Sequence, residues 1–237
     1  MTQSACSAAW ARAVVGLMAG VLLGAVPAWA SPWCVDYEGD AFPEDQGWTR
    51  VHGSIPGERW IDNGVLFIQK QPNPPTYEFY EMTFDHPVDP QGPQETFLLR
   101  WRLKVDDVIG LDDPAVGVTS DSAGANEYYR ASFGFSVDRV YSRFEHGVSA
   151  PIAPGVFHEY EMRSSDMRTY QLYVDSMLSM QGSFTEVFGP ARVTFGQGVE
   201  GATSLAEWDY VRCAVVAPEP AGGVMGLLFV LGIWGRR

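Results

Sequence analysis

Positive charge is scarce in this chain. Its 237 residues hold 16 lysines and arginines against 29 aspartates and glutamates, a formal net charge of −13. Nucleic-acid binding rests on Lys and Arg neutralising phosphates, so this balance excludes a nucleic-acid partner. It also sets the protein against anionic lipid surfaces. Neutral glycans, cations and basic partners stay open, beside the plain reading of a soluble acidic surface. Histidine is nearly absent too. The four, His52, His86, His146 and His158, have no paired spacing, which excludes a histidine zinc site. There is no Gly-rich phosphate loop and no nucleophile elbow. No window between residues 31 and 217 sustains a 3.6-residue apolar period, which excludes a helical bundle.

Cysteine is limited to three residues. Cys6 lies in the apolar N-terminal segment described below. The other two, Cys34 and Cys213, stand near the ends of the region between the termini. In an exported protein two such cysteines read as one disulfide, with two unpaired thiols as the alternative. A bridge needs Cα atoms within about 7 Å, so the first and last strands should be neighbours.

The two ends are the most legible parts. Arg12 is the only charge before Asp36, Ala13 to Val26 is apolar and small, and Ala28-Trp29-Ala30 precedes Ser31-Pro32. A basic start, a short apolar run and a small-x-small site make a secretory signal peptide, with cleavage expected between Ala30 and Ser31. The rival is an uncleaved membrane helix, for which the run is short. At the other end Pro218-Glu219-Pro220 leads into an uncharged stretch, Ala221 to Gly235, closed by Arg236-Arg237. As a helix that stretch rises about 22 Å, short of the roughly 30 Å hydrocarbon core. It reads as a marginal transmembrane anchor, with both arginines held on the cytoplasmic side.

This tail resembles the PEP-CTERM sorting signals of exported Gram-negative bacterial proteins: the Pro-Glu-Pro, the apolar helix and the terminal arginines stand in that family's order. The resemblance implies an exosortase-type processing enzyme as partner and removal of the tail. It implies transient anchoring in the inner membrane, then a place at the cell surface or in an extracellular matrix. The alternative is a permanent C-terminal membrane tail. Three segments follow: signal peptide 1–30, one domain at 31–217, sorting segment 218–237.

The middle alternates with period two. Phe97, Leu99, Trp101, Leu103 and Val105 point one way and Arg100, Arg102 and Lys104 the other, a strand with one dry and one wet face. Phe133-Phe135-Val137, Tyr170-Leu172-Val174 and Trp208-Tyr210-Arg212 alternate likewise. Shorter candidates are 65–70, 77–84, 116–120, 140–145, 157–163 and 192–196. Asp62-Asn63-Gly64, Val137-Asp138-Arg139 and Val174-Asp175-Ser176 read as turns between strands. Ten or more short strands at this spacing predict an all-β fold: a two-sheet antiparallel β-sandwich, a jelly roll. A region of this length buries about 70% of its unfolded surface in one core.

Residues 157–184 and the ending Glu207-Trp208-Asp209-Tyr210-Val211-Arg212, with Tyr37-Glu38-Gly39-Asp40 near the start, resemble the concanavalin A-like (laminin-G-like) jelly-roll superfamily. That superfamily includes hydrolases, lectins and adhesion modules, so the resemblance does not choose among them. A glycoside hydrolase needs two carboxylates about the scissile bond. The nearest pair is Glu207 and Asp209, which a regular strand puts on one face. The hydrolase motif they resemble carries a further Glu three positions after its Asp, and that position is Arg212 here. No catalytic residue is therefore expected.

Asp106-Asp107 and Asp112-Asp113 bracket a loop of the kind that offers oxygen ligands to calcium. They lack EF-hand spacing, and solvated loop acids are the commoner use of such a run. No cofactor is otherwise expected. Sugar binding calls for exposed aromatics beside polar groups. Trp48, Trp60, Tyr77, Tyr80, Tyr128 and Tyr129 are the candidates, the adjacent tyrosines notable because neighbours on a strand face opposite ways. The expectation is a non-enzymatic surface or matrix domain that binds polysaccharide. The alternatives are a glycoside hydrolase or lyase with an unrecognised site, and a purely structural matrix protein.

Overall fold

The computed structural model describes residues 34–53, 57–70, 78–84, 90, 95–109, 114–122, 127–197 and 203–217. In chain order its strands are β1 Val35–Glu38, β2 Thr49–His52, β3 Glu58–Asp62, β4 Val65–Lys70, β5 Glu78–Thr83, β6 Thr96–Ile109, β7 Ala115–Ser122 and β8 Glu127–Ser136. They continue as β9 Arg139–Ser142, β10 Ser149–Pro151, β11 His158–Ser164, β12 Thr169–Val174, β13 Met177–Ser183, β14 Thr185–Val187, β15 Arg192–Gln197 and β16 Thr203–Val216. One turn of 3-10 helix, Pro43–Gln46, separates β1 from β2.

The strands form two antiparallel sheets, a β-sandwich as the alternation predicts. The first runs β13-β12-β11-β6-β16-β4-β3, with β1 also paired to β16. The second runs β10-β9-β8-β7-β15-β5-β2, with β14 also paired to β8. Strand β6 keeps the predicted phase. Phe97, Leu99, Trp101, Leu103 and Val105 are buried, while Arg100, Arg102 and Lys104 face outward. Asn63 and Gly64 take φ of 52° and 78° between β3 and β4, the paired left-handed residues that a two-residue hairpin turn requires. Asp175 and Ser176 do the same between β12 and β13.

Aromatic side chains tie the sheets together. Trp101 of β6 stacks on Tyr160 of β11 at 5.3 Å and on Phe133 of β8, in the other sheet, at 5.6 Å. Tyr37, Trp48, Tyr80 and Trp208 pack around Phe195 of β15, all with centroids within 5.2 Å of it. Trp48 and Tyr80 are thus core residues, with 3% and 0% exposure, and drop out as sugar-stacking candidates. Near the β3 and β2 edges the sheets are joined by a polar network. Glu78 accepts hydrogen bonds from Arg50 and Tyr80 and faces Arg59, which also reaches Glu44.

Strand β16 departs from the expected alternation. Its register with β6 shifts between Trp208 and Tyr210, leaving Asp209 as the extra residue of a bulge. The core phase therefore passes from Trp208 to Val211 and Cys213, all fully buried, while Tyr210 turns outward and is half-buried.

Strand β1 pairs with β16, Val35 opposite Cys213, and the Cys34 N–H donates to the Cys213 carbonyl at 2.7 Å. The two cysteines are neighbours, as a bridge requires, and are unbonded here, Cys213 buried and Cys34 exposed. The signal-peptide and sorting-tail residues lie outside the described residues, as do Tyr77, His86, Asp112 and Asp113. Among the described residues no helix is long and apolar enough to cross a membrane.

Candidate functional site

The predicted carboxylates lie on the outer face of the first sheet. Cross-strand register builds a row there from Trp60 of β3 through Phe67 of β4 and Glu207 of β16 to Lys104 of β6. Trp60 stacks on Phe67 at 5.1 Å with rings 9° from parallel. Glu207 meets the Lys104 ammonium at 2.5 Å, and Lys104 also holds Asp106 at 2.9 Å. Asp209 pairs with Arg102, and Glu161 with Arg100 and Arg163. Arg212, in the place of the missing carboxylate, pairs with Asp36 and Glu38. The face is a lattice of opposite charges in which each acid of the Glu207–Asp209 pair already has a cation.

Burial and the neighbouring Asp106 raise the Glu207 carboxyl above its usual range, against the pull of Lys104. Burial disfavours the charged carboxylate, and a second acid adds repulsion. Lys104→Met should therefore leave Glu207 and Asp106 uncompensated. A carboxyl raised in the folded state binds more protons folded than unfolded, so stability falls as pH climbs through its titration. The variant should match the parent near pH 4 and fall behind by on the order of 1 kcal/mol at pH 7. Urea midpoints at the two pH values test this; a pH-independent gap refutes it.

Of the calcium candidates, Asp112 and Asp113 lie outside the described residues. Asp106 and Asp107 are consecutive on β6, Asp106 at a register shift against β16 and bonded to Lys104. Among the described residues no three His, Cys, Asp or Glu side chains are grouped to hold a metal ion.

The outer face of the second sheet is different. Strand β8 turns Tyr128, Arg130, Ser132 and Gly134 to this side and Ala131, Phe133 and Phe135 to the core; Tyr128 and Arg130 are half-buried, whereas Ser132 and Gly134 are themselves buried. Register carries Arg130 across Thr119 of β7 to Arg192 of β15, and Ser132 across Gly117 to Thr194. The floor is small. A methyl group on Gly117 would meet the Thr194 hydroxyl at 3.1 Å, and one on Gly134 would strike the Tyr141 ring at 2.4 Å. Tyr141 thus lies over Gly134, and Arg130 sits 5.6 Å from the Phe144 ring. Tyr128 is half-buried on this face. Tyr129 turns inward against the core and carries the Arg168 guanidinium 3.3 Å from its ring centroid.

Arg192 pairs with Glu81 at 2.8 Å. Arg130 has no carboxylate partner among the described residues, and its Nε is buried without a hydrogen-bond partner. Burial, with Arg192 and Arg143 close by, pulls its pKa down to about 10. Sequence reasoning missed this cluster. The available signal was the run Arg130-Ala131-Ser132-Phe133-Gly134, whose polar and small residues alternate with core ones.

No protein-family model matches the chain, and no curated protein matches it. Solved structures do. A carbohydrate esterase from the Shiga toxin-encoding bacteriophage phi24B aligns with TM-score 0.52 and 10% identity over 78% of this chain and 99% of its own. The Bacillus licheniformis beta-glucanase aligns at 0.46 and 12% identity over 76% and 97%. The carbohydrate recognition domain of Emp46p aligns at 0.48 and 11% identity over 71% and 88%. The class is a jelly-roll β-sandwich, consistent with the concanavalin A-like fold. One expectation is corrected here. The carbohydrate esterase shares this fold, so the fold gives no ground for reading the domain as non-enzymatic, and that reading does not stand.

Proposed function

We infer that residues 31–217 form an exported, carbohydrate-directed domain that engages polysaccharide on the outer face of the second sheet. The supporting observation is the contrast between the two faces. On the first sheet Glu161, Glu207 and Asp209 are each paired with a cation. On the second, the half-buried Arg130 guanidinium lacks a carboxylate partner among the described residues and stands with Tyr128, Tyr141 and Phe144 above the buried Gly117, Thr119, Ser132 and Gly134. Sugar rings stack on aromatic faces while their oxygens accept from fixed donors, and this face offers both. Delivery rests on the sequence: a signal peptide at 1–30 cleaved after Ala30, and a sorting segment at 218–237 handled by an exosortase-type enzyme before release to the surface or matrix.

The test is affinity electrophoresis of the secreted protein in gels cast with a panel of plant, algal and bacterial polysaccharides. The same panel is assayed for new reducing ends, unsaturated uronate products and released acyl groups. Retardation or turnover by at least one polysaccharide is the expected result. Tyr141→Ala should weaken it at least tenfold. Neither retardation nor product across the panel overturns the reading.

A further inference from the structure

We propose that the second-sheet face is an anion site, and that the polysaccharide it takes carries carboxylate or sulfate groups, Arg130 being the residue that selects them. The proposal rests on the polysaccharide reading for the ligand's scaffold. The charge selection rests on separate observations. Arg130, Thr119 and Arg192 lie in one row across three adjacent strands, β8, β7 and β15. Arg143 follows β9 beside them, its N–H donating to the Ser132 carbonyl at 2.9 Å. Three guanidinium groups thus gather on one face of a protein whose net charge is −13. Elsewhere the acids reach the arginines: Arg50, Arg59, Arg100, Arg102, Arg163 and Arg212 all meet carboxylates. Arg130 meets none among the described residues, and its Nε points to no acceptor.

A buried donor without an acceptor is costly, and like charges around it add to that cost. The same arrangement lowers the Arg130 pKa to about 10. An anion bound between the guanidiniums would supply the missing acceptor and relieve the repulsion together. Guanidinium forks match carboxylate and sulfate geometry with paired hydrogen bonds. The acidity of the rest of the surface repels polyanions from everywhere else, which confines them to this face.

The experiment uses the secreted protein and four probes: polygalacturonate, its fully methyl-esterified form, dextran sulfate, and neutral mixed-linkage β-glucan, each with and without a chelator. Polygalacturonate or dextran sulfate should be retained, and the difference between them tells carboxylate from sulfate. The methyl ester, with the same backbone and no charge, should bind at least tenfold more weakly. Arg130→Gln should lose the anionic probe at least tenfold. Its melting temperature without ligand should stay at or above the parent's, because the substitution removes a repelled charge.

Equal retention of polygalacturonate and its ester overturns the inference and leaves the polysaccharide reading standing. So does an Arg130→Gln variant that binds like the parent, or binding that the chelator abolishes. If no polymer is retained, thermal shift with inorganic sulfate decides between the two claims. A rise in the parent that Arg130→Gln lacks keeps the anion site and overturns the polysaccharide scaffold, and no rise overturns both.

Discussion

Glu78→Gln is expected to cost about 3–5 kcal/mol of stability, the range for breaking one partner of a buried ion pair. Glu78 is 1% exposed. Its carboxylate accepts from Arg50 Nε at 3.0 Å and Nη2 at 2.7 Å, and from the Tyr80 hydroxyl, and faces Arg59 Nε at 3.5 Å. Glutamine keeps the shape and loses the charge, leaving Arg50 without its carboxylate and turning one acceptor oxygen into a donor that faces guanidiniums. Arg59 is better protected. Burial pulls its pKa down, but hydrogen bonds to Glu44 and Tyr80 outweigh this and raise it overall. The loss should therefore fall mainly on the β2–β5 contact through Arg50. Burial, then the Glu78 hydrogen bond, pushes the Tyr80 hydroxyl above its ordinary range, so it remains a donor throughout.

Urea unfolding followed by tryptophan fluorescence measures the effect, since Trp48 sits beside this edge. A domain of this size loses roughly 2–4 °C of melting temperature per kcal/mol, so a drop on the order of 10 °C should accompany it. Arg50→Met with Glu78→Met should recover most of the loss, because replacing a whole buried pair by apolar groups is often close to neutral. A loss below 1 kcal/mol for Glu78→Gln would mean that water screens the network, and the edge would then be held by apolar packing alone.

How much of this was legible in the sequence depended on how far apart the cooperating residues lie. The β6 alternation was visible because one face of that strand is dry and the other ionic. The Asn63-Gly64 turn was visible because two consecutive left-handed residues favour that pair. The β16 bulge was not. Inserting Asp209 shifts the phase of everything after it, so the alternation read through Tyr210 put the wrong side chains inward. Trp48 and Tyr80 were offered as sugar platforms because an aromatic's identity does not say which face it occupies. The Arg130 cluster was invisible for a different reason. Thr119, Arg130 and Arg192 meet only through the register of β8 on β7 and β7 on β15, and register between distant segments is not written in local pattern. The Glu207–Asp209 pair was readable, but its neutralisation by Lys104 and Arg102 again needed cross-strand register.

The second large effect concerns the two cysteines. If the protein is exported as proposed, Cys34 and Cys213 should form a disulfide, and its removal should cost roughly 2–5 kcal/mol. It would close a loop of about 180 residues, for which chain entropy alone gives about 5 kcal/mol as an upper figure. Backbone pairing of β1 with β16 already brings the two together, so forming the bond asks for little rearrangement. The chemistry has a direction. Burial pushes the Cys213 thiol well above its ordinary range, whereas hydrogen bonding to Cys213 lowers Cys34. The thiolate is the attacking species, so the exposed Cys34 should react first with an external oxidant and Cys213 should resolve the mixed disulfide. Unreduced protein should weigh two hydrogens less than reduced protein, and titration of the native protein with a thiol reagent should find no free thiol. Single variants separate the bond from simple packing. If the bond carries the stability, Cys34→Ser and Cys213→Ser should both lose most of it, although only Cys213 is buried. If Cys34→Ser is neutral and Cys213→Ser alone is costly, Cys213 acts only as a small core residue, and the join between the first and last strands rests on backbone hydrogen bonds.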